Sequence, residues 1–183
     1  MSIGDDMLNR YVWVLWVLAY SGFLMAEEQE VEESYLDKTQ QVGRVIIGPQ
    51  PKKADFAELE EQGVRAVINM RRPSEMEELP FLQDYLTQKH NMSYNRVPIG
   101  GTDDAYSPVK LAAFAQAIQQ SSDEKVLIHC ASGYRASQLY AAYLVAYENM
   151  SPNAALKLVD PSWWPMPMEK LLGKKLSLTI EEK

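Results

Sequence analysis

Apolar and polar positions fall into short blocks along most of the chain, and the blocks alternate between strand-like and helix-like periods. "VGRVII" is an apolar, β-branched run that begins near Val42 and closes at Gly48-Pro49, as a strand ending in a turn does. Asp55 with Glu58 three positions later has the spacing of a capping box, Phe56 and Leu59 share one helical face, and Gly63 supplies a stop. "VRAVINM" predicts a second buried strand, "EELPFLQDYLTQKH" a helical stretch that leaves His90 at the surface, and "MSYNRVPI" a third strand before the Gly100-Gly101 turn. Ser107 as N-cap and Pro108 in the first turn predict a helix with Leu111, Phe114 and Ile118 on one face. "KVLIHC" is the fourth strand. After it, Ala136, Leu139, Tyr140, Tyr143, Leu144 and Tyr147 recur at helical spacing, while Ala141, Ala142, Val145 and Ala146 fill the other face, so this helix is expected to be central and buried. Ser151-Pro152 opens another helix, and "PSWWPMP" breaks the chain, its tryptophans read as packing, before a short amphipathic tail.

Strands alternating with helices at this spacing predict an α/β domain with a mainly parallel sheet of about four or five strands flanked by helices. In such sheets ligands collect outside the carboxyl ends of the strands, and Cys130 sits at one of those ends. At 183 residues and 46% hydrophobic composition the chain suits one domain with a substantial core, here read as 42–183. Residues 27–41 are acidic and poor in core formers, which reads as a loosely held lead-in. Ahead of them, Arg10 precedes an uncharged, mostly apolar stretch from Tyr11 to Ala26. That reads as a secretory signal peptide over 1–26, with export to the periplasm and no stable membrane span after processing; retention as a membrane anchor is the alternative. The net charge of −7, with basic pairs scattered, argues against nucleic acid as a partner.

Only Ala131, Ser132, Gly133 and Tyr134 lie between Cys130, the single cysteine, and Arg135, which opens the following helix. A tight strand-to-helix loop turns backbone N–H groups inward and adds the positive end of the helix dipole, which together make an anion cradle. Gly133 admits a positive φ or a close backbone approach, and Arg135 offers a planar fork of donors for phosphate or a comparable oxyanion. The same field favours the thiolate of Cys130, the form that acts as a nucleophile. His129 points to the opposite face of its strand and is assigned a supporting role behind the loop. Asp103 and Asp104, on a glycine-flanked loop after the third strand, are both candidates to protonate a leaving group. With one cysteine and two separated histidines no ligand cluster has metal spacing, so no metal or other cofactor is expected.

At these residues the sequence resembles the cysteine-dependent protein tyrosine and dual-specificity phosphatase superfamily, and most of all its bacterial beta-lactamase-hydrolase-like branch. The motifs are "GPQP" before the first helix, "VINMRRP" after the second strand, "VPIGGTDD" on the acid loop, and "VLIHCASGYRAS" on the nucleophile loop; the likeness runs from about Val42 to Val159. It implies a three-layer phosphatase-like fold and hydrolysis of phosphate monoesters, on a protein or a small molecule, through a phosphocysteine. It further implies that Cys130 attacks phosphorus, Arg135 grips the equatorial oxygens with Ala131 to Tyr134 supplying the cradle, and Asp103 or Asp104 is the acid. Asn69 and Arg71 line the pocket or serve structure, and Ser137 stands one position beyond the hydroxyl residue that usually follows the arginine. The usual loop has five linking residues where this one has four. Four is the spacing of rhodaneses, so sulfur transfer through a Cys130 persulfide is the alternative, and a non-catalytic oxyanion-binding module is a third reading. No "GHIPGA"-like segment precedes the loop, as a rhodanese fold would require.

Overall fold

The computed structural model describes residues 33–121, 123–159 and 166–176. The readings of 1–26, of the break at 160–165 and of Trp163-Trp164 lie outside the described residues. A 3-10 turn (Leu36–Lys38) is followed by β1 (Gln40–Val42), β2 (Val45–Gly48), α1 (Asp55–Glu61), β3 (Val64–Asn69), α2 (Pro73–Glu77), α3 (Gln83–Lys89) and β4 (Ser93–Arg96). Then come α4 (Pro108–Gln120), β5 (Lys125–His129), α5 (Tyr134–Tyr147), α6 (Pro152–Val159) and α7 (Met166–Leu172). The sheet has five strands in the order β1-β2-β5-β3-β4, all parallel except the β1–β2 hairpin. The expected three-layer α/β fold is therefore present.

Strand alternation sorts the core onto the two sheet faces. Val45, Ile47, Ala66, Ile68, Val126 and Ile128 meet α4, α5, α6 and α7 on one face, where Phe114 packs edge-on to Tyr143 with centroids 5.9 Å apart. Ile46, Val67 and Leu127 point the other way, against Phe56, Leu59 and Leu86. Each such aliphatic side chain, once buried, stabilises the domain by about 1.5–3 kcal/mol. The register places the whole site on one edge: Gly48 and Asn69 both pair with His129, and Asn69 also pairs with Arg96. Pro49, Met70, Val97 and Cys130 therefore leave the sheet side by side at its carboxyl end.

Several boundaries differ from the pattern-based reading, each for a local reason. "VGRVII" is a hairpin: Gly43, at φ 58°, turns the chain so that Val42 pairs with Val45. Arg44, on that turn, donates to the carbonyls of Ser121 and Glu124 at 2.5 and 2.9 Å, closing the end of α4. Asp55 is no N-cap. Its carboxylate accepts from Lys52 N at 2.6 Å one turn earlier, and Glu58 instead accepts from the Ser34 hydroxyl and from Tyr35 N. The lead-in is accordingly held from Glu33 onward, and Tyr35 is buried with its hydroxyl on Pro49 O at 2.8 Å. Pro80 shortens the expected long helix to α3, because it lacks a donor and restricts Leu79 before it. His90 is half-buried, not on the surface: its Nδ1 lies 2.8 Å from Glu60 Oε2 and its ring stacks on Phe56. The α5 helix is buried through Leu144, but Ala146 and Tyr147 emerge into solvent. Ser107 does cap α4, accepting from Lys110 N at 3.4 Å.

Candidate active site

The loop that begins at Cys130 is pinned from both sides. Met70 N donates to His129 O at 2.9 Å and Gln50 N to Ala131 O at 3.1 Å, tying it to the chain that leaves β3 and β2. Gly133 is the N-cap of α5 at φ 87°, and a Cβ there would stand 3.2 Å from both C and O of Gly48. Glycine is thus required twice, for the left-handed backbone and for the close approach. Cys130 is 1% exposed at the base of the loop, whereas Ala131 and Ser132 are exposed, Gly133 is buried and Tyr134 is half-buried. The Ser137 hydroxyl donates to Gly133 O at 3.2 Å, so it closes the first turn of α5.

Arg135 is held by a residue that the pattern-based reading did not single out. Its Nη1 donates to Glu75 Oε2 at 2.8 Å and to Ile99 O at 3.0 Å, with Met70 O at 3.4 Å, and its Nη2 donates to Glu75 Oε1 at 2.6 Å. Glu75 takes the end of the guanidinium fork, leaving Nε and the outer hydrogen of Nη2 as the side edge. The guanidinium also interacts electrostatically with Cys130. Glu75 Oε2 also accepts from N and Nε of Arg72, at 3.0 and 2.8 Å. Hydrogen bonds from Arg135 first, and then from Arg72, hold the Glu75 carboxyl well below the usual carboxylate range, although burial opposes them.

Behind the loop runs a buried polar chain. Arg71 Nη1 donates to Gln50 Oε1 at 2.9 Å, Gln50 Nε2 to Gln83 Oε1 at 3.0 Å, and Gln83 Nε2 meets His129 Nε2 at 2.6 Å. His129 Nδ1 lies 3.3 Å from Cys130 O. A carbonyl can only accept, so Nδ1 carries the proton and Nε2 receives the Gln83 amide. Complete burial lowers the His129 pKa to about 3, which keeps the ring neutral. His129 faces away from Cys130, as the strand period requires. Asn69 belongs to the same scaffold: its Oδ1 accepts from Arg71 N at 2.8 Å and its Nδ2 donates to Tyr94 Oη at 2.8 Å. Of the two pocket candidates, Asn69 is thus fully engaged in structure, and Arg71 donates to Gln50 and to Glu75 O at 2.6 Å.

On the loop that carries Asp103 and Asp104, Gly100 and Gly101 both have positive φ, and Gly100 N donates to Asp104 O at 2.6 Å. Asp104 is paired with Lys110, whose Nζ lies 2.8 Å from Oδ1. Asp103 is exposed, with only the Thr102 hydroxyl on its carboxylate among the bonds seen, at 3.2 Å. Tyr106 follows. Burial raises its pKa, and the residue packs against the core while interacting electrostatically with Arg135. A cleft of about 560 Å³ flanks the loop, with Thr39 and Gln40 of the lead-in on one wall and Ser132, Gly133 and Ser137 on the other. Among the described residues, no three His, Cys, Asp or Glu side chains converge as a metal site.

Glu75, Gln50, Gln83 and Tyr106 were thus missed from sequence. For Glu75 a signal existed: Pro73 in the first turn with Glu75 at the third helical position, where a carboxylate reaches back to the preceding backbone. Gln50 and Gln83 are common surface types whose burial depends on contacts distant in sequence.

Residues 45–172 match the family described as "Dual specificity phosphatase, catalytic domain". Over 100 residues the chain is 33% identical to a "Beta-lactamase hydrolase-like protein" of Xylella fastidiosa, in both strain Temecula1 and strain 9a5c. That alignment covers 54% of this chain and 22% of the relative, so the chain spans about a fifth of the curated protein's length. Among solved structures, PTPMT1 in complex with PI(5)P is 23% identical with a TM-score of 0.64, covering 75% of this chain and 94% of that one. A mutant form of Tk-PTP is 22% identical with a TM-score of 0.63, covering 75% and 96%. At these identities the structural likeness speaks for the fold.

Proposed function

The chain belongs to the dual specificity phosphatase catalytic-domain family, and from that premise we propose that it hydrolyses phosphate monoesters through a phosphocysteine on Cys130. The observation that carries this reading is one arrangement: Cys130 directly follows β5, the fourteen-residue α5 begins four positions later, and Arg135 in its first turn interacts electrostatically with Cys130. In the reaction, the Cys130 thiolate attacks phosphorus and the ester oxygen departs with a proton from the acid loop. Water, deprotonated by the same carboxylate, then breaks the S–P bond and releases inorganic phosphate. Backbone N–H groups of Ala131 to Arg135 and the arginine side edge carry the charge that spreads over the three equatorial oxygens. Asp103 is the acid in this scheme. Asp104 pairs with Lys110 and its backbone carbonyl accepts from Gly100 N, which suits it to anchor the loop instead.

The full chain should release phosphate from an aryl phosphate and leave a phosphate adduct on the Cys130 peptide after rapid quenching. Cys130→Ser should do neither while still binding phosphate. The four-residue linker is the observation that favours a second reading, sulfur transfer. Thiocyanate formed from thiosulfate and cyanide, with no phosphate release, would replace the first reading by that one. Neither product, with phosphate still bound, would mark a binding module. The substrate in this reading is a phosphorylated protein or small molecule, and among the described residues no helix is long and apolar enough to cross a membrane. Export guided by Tyr11 to Ala26 is part of the same proposal. N-terminal sequencing of periplasmic material should start between Gly22 and Gln29, and an intact chain in the cytosol would remove it.

A further inference from the structure

We infer that Arg72 is a specificity residue of this site, which takes a second anionic group, a phosphate or a carboxylate, on the substrate. The inference rests on the phosphatase reading above and narrows its substrates to esters that carry two negative groups. Three guanidinium groups gather on the short helix α2 around one carboxylate. Glu75 Oε2 accepts from Arg72 Nε and from Arg135 Nη1, each at 2.8 Å, so the two forks are neighbours across a single oxygen. Arg71, 8% exposed, bonds only neutral oxygens, Gln50 Oε1 at 2.9 Å and Glu75 O at 2.6 Å. One carboxylate against Arg71, Arg72 and Arg135 leaves positive charge in excess here, in a chain whose net charge is −7. On the loop opposite, Asp104 is already paired with Lys110, and Asp103 enters the proposed reaction protonated. A phosphate at Cys130 draws on Arg135, and Arg71 is closed off from solvent. The open charge is that of Arg72, whose side chain is 41% exposed. Its backbone N and Nε hold Glu75, and among the described residues no acceptor bonds Nη1 or Nη2. The fork is nevertheless fixed in place. A Cβ on Gly101 would stand 2.9 Å from Arg72 Nη1, and one on Gly100 would stand 3.4 Å from Cδ of Arg135. The turn that leads to Asp103 therefore crosses both arginines, which puts Arg72 on the rim of the site beside Arg135. A guanidinium that is already ordered, with donors unused, binds an oxyanion at less cost in side-chain entropy than a free one. An arginine that only caps Glu75 would confer no such selectivity.

The test compares 3- and 4-carboxyphenyl phosphate with their neutral amides, 3- and 4-carbamoylphenyl phosphate, in steady-state kinetics of the full chain. Calorimetric titration of the same four esters into Cys130→Ser gives a readout free of turnover. At least one acid should exceed its amide in kcat/KM by about 5- to 20-fold, between the worth of an exposed ion pair and that of a charge-assisted hydrogen bond, with most of the difference in KM. Arg72→Gln should abolish the preference and Arg72→Lys should restore part of it, while Lys53→Gln, which removes an exposed cation from another loop, should keep it whole. The acid-to-amide ratio is the quantity read, because any slackening of Glu75 falls on acid and amide alike. Added salt should shrink the ratio, since Arg72 is open to solvent. Exchanging the carboxylate for a second phosphate on the same ring then ranks the two anions. No preference for either acid in the wild type, or a preference that Arg72→Gln leaves intact, would overturn the inference and leave Arg72 as a cap on Glu75. If Arg72→Gln does not fold, Arg72→Lys carries the test through a lowered ratio. If the wild type releases phosphate from none of the esters, the phosphatase reading fails, and the ratio of dissociation constants in Cys130→Ser still decides the role of Arg72.

Discussion

Lowering the pH should destabilise this domain through His129 by an amount that can be worked out in advance. The imidazole titrates near 6.5 in an open chain and at about 3 in the folded protein, where it is fully buried. Between these values the unfolded chain binds a proton that the folded one refuses. The contribution of His129 to stability is therefore intact above about pH 6.5 and declines steadily as the pH falls toward 3. At about pH 5, one and a half units below the open-chain value, the loss comes to about 2 kcal/mol. For a domain of this size that corresponds to a fall in Tm of about 4–8 °C. The assay is urea or thermal unfolding at about pH 7.5 and pH 5, for the wild type and for His129→Gln. The variant keeps an amide that can face Gln83 but has no proton to gain. It should start less stable at the higher pH, and the gap should narrow by about 2 kcal/mol at the lower one. Other titrating groups are common to both proteins and cancel in the difference. Parallel pH profiles would refute the reasoning, since they would mean that His129 is not held neutral by burial.

Gly133→Ala should cost about 1–3 kcal/mol for a non-glycine residue in the left-handed region, beyond the contact its Cβ makes with Gly48 at 3.2 Å. Phosphate binding should fall with stability, and a variant that melts and binds like the wild type would show that the loop does not depend on this backbone. Asp103→Asn should lose about 10²- to 10⁴-fold in kcat on an ester with a poor leaving group and far less on a good one, whereas Asp104→Asn should lose loop order and show no such dependence on the leaving group. The reverse pattern would transfer the acid role to Asp104.

Most of the fold was legible because it is written in periods: β-branched runs for β3 and β5, and the 3.6-residue recurrence that buries Leu139, Tyr140 and Tyr143. Cys130, Gly133 and Arg135 were legible because they are adjacent along the chain, so loop and helix end could be inferred from spacing alone. The hairpin at Gly43 was hidden inside an apolar run, and the late helix start after Pro80 inside a helical one; in both cases a single residue's backbone preference outweighed the pattern around it. Tyr35 was overlooked for the opposite reason, as a buried aromatic in an acidic stretch. The partners of the loop could not be read. Glu75 lies 60 positions before Arg135, and Gln83 lies 46 before His129. Glutamine and glutamate give no sign in sequence of whether they face water or an arginine.

The four-residue linker gives these distant partners their weight. A loop with one residue fewer has one N–H fewer to point at an oxyanion, and a neutral hydrogen bond contributes about 0.5–1.5 kcal/mol where one to a charged group contributes about 1.5–3. On the phosphatase reading, the short cradle must therefore lean on the side edge of Arg135, whose two donors are charge-assisted but useful only if the fork is aimed. Aim comes from Glu75 and from the carbonyls of Ile99 and Met70. In phosphoryl transfer three equatorial oxygens need donors, so the dependence on that aim is strong. Sulfur transfer asks for stabilisation of one terminal sulfur, and the dependence is weak. Glu75→Gln should accordingly depress phosphate release far more than any thiocyanate formation, and equal losses in the two assays would mean that the fork does not discriminate between the chemistries.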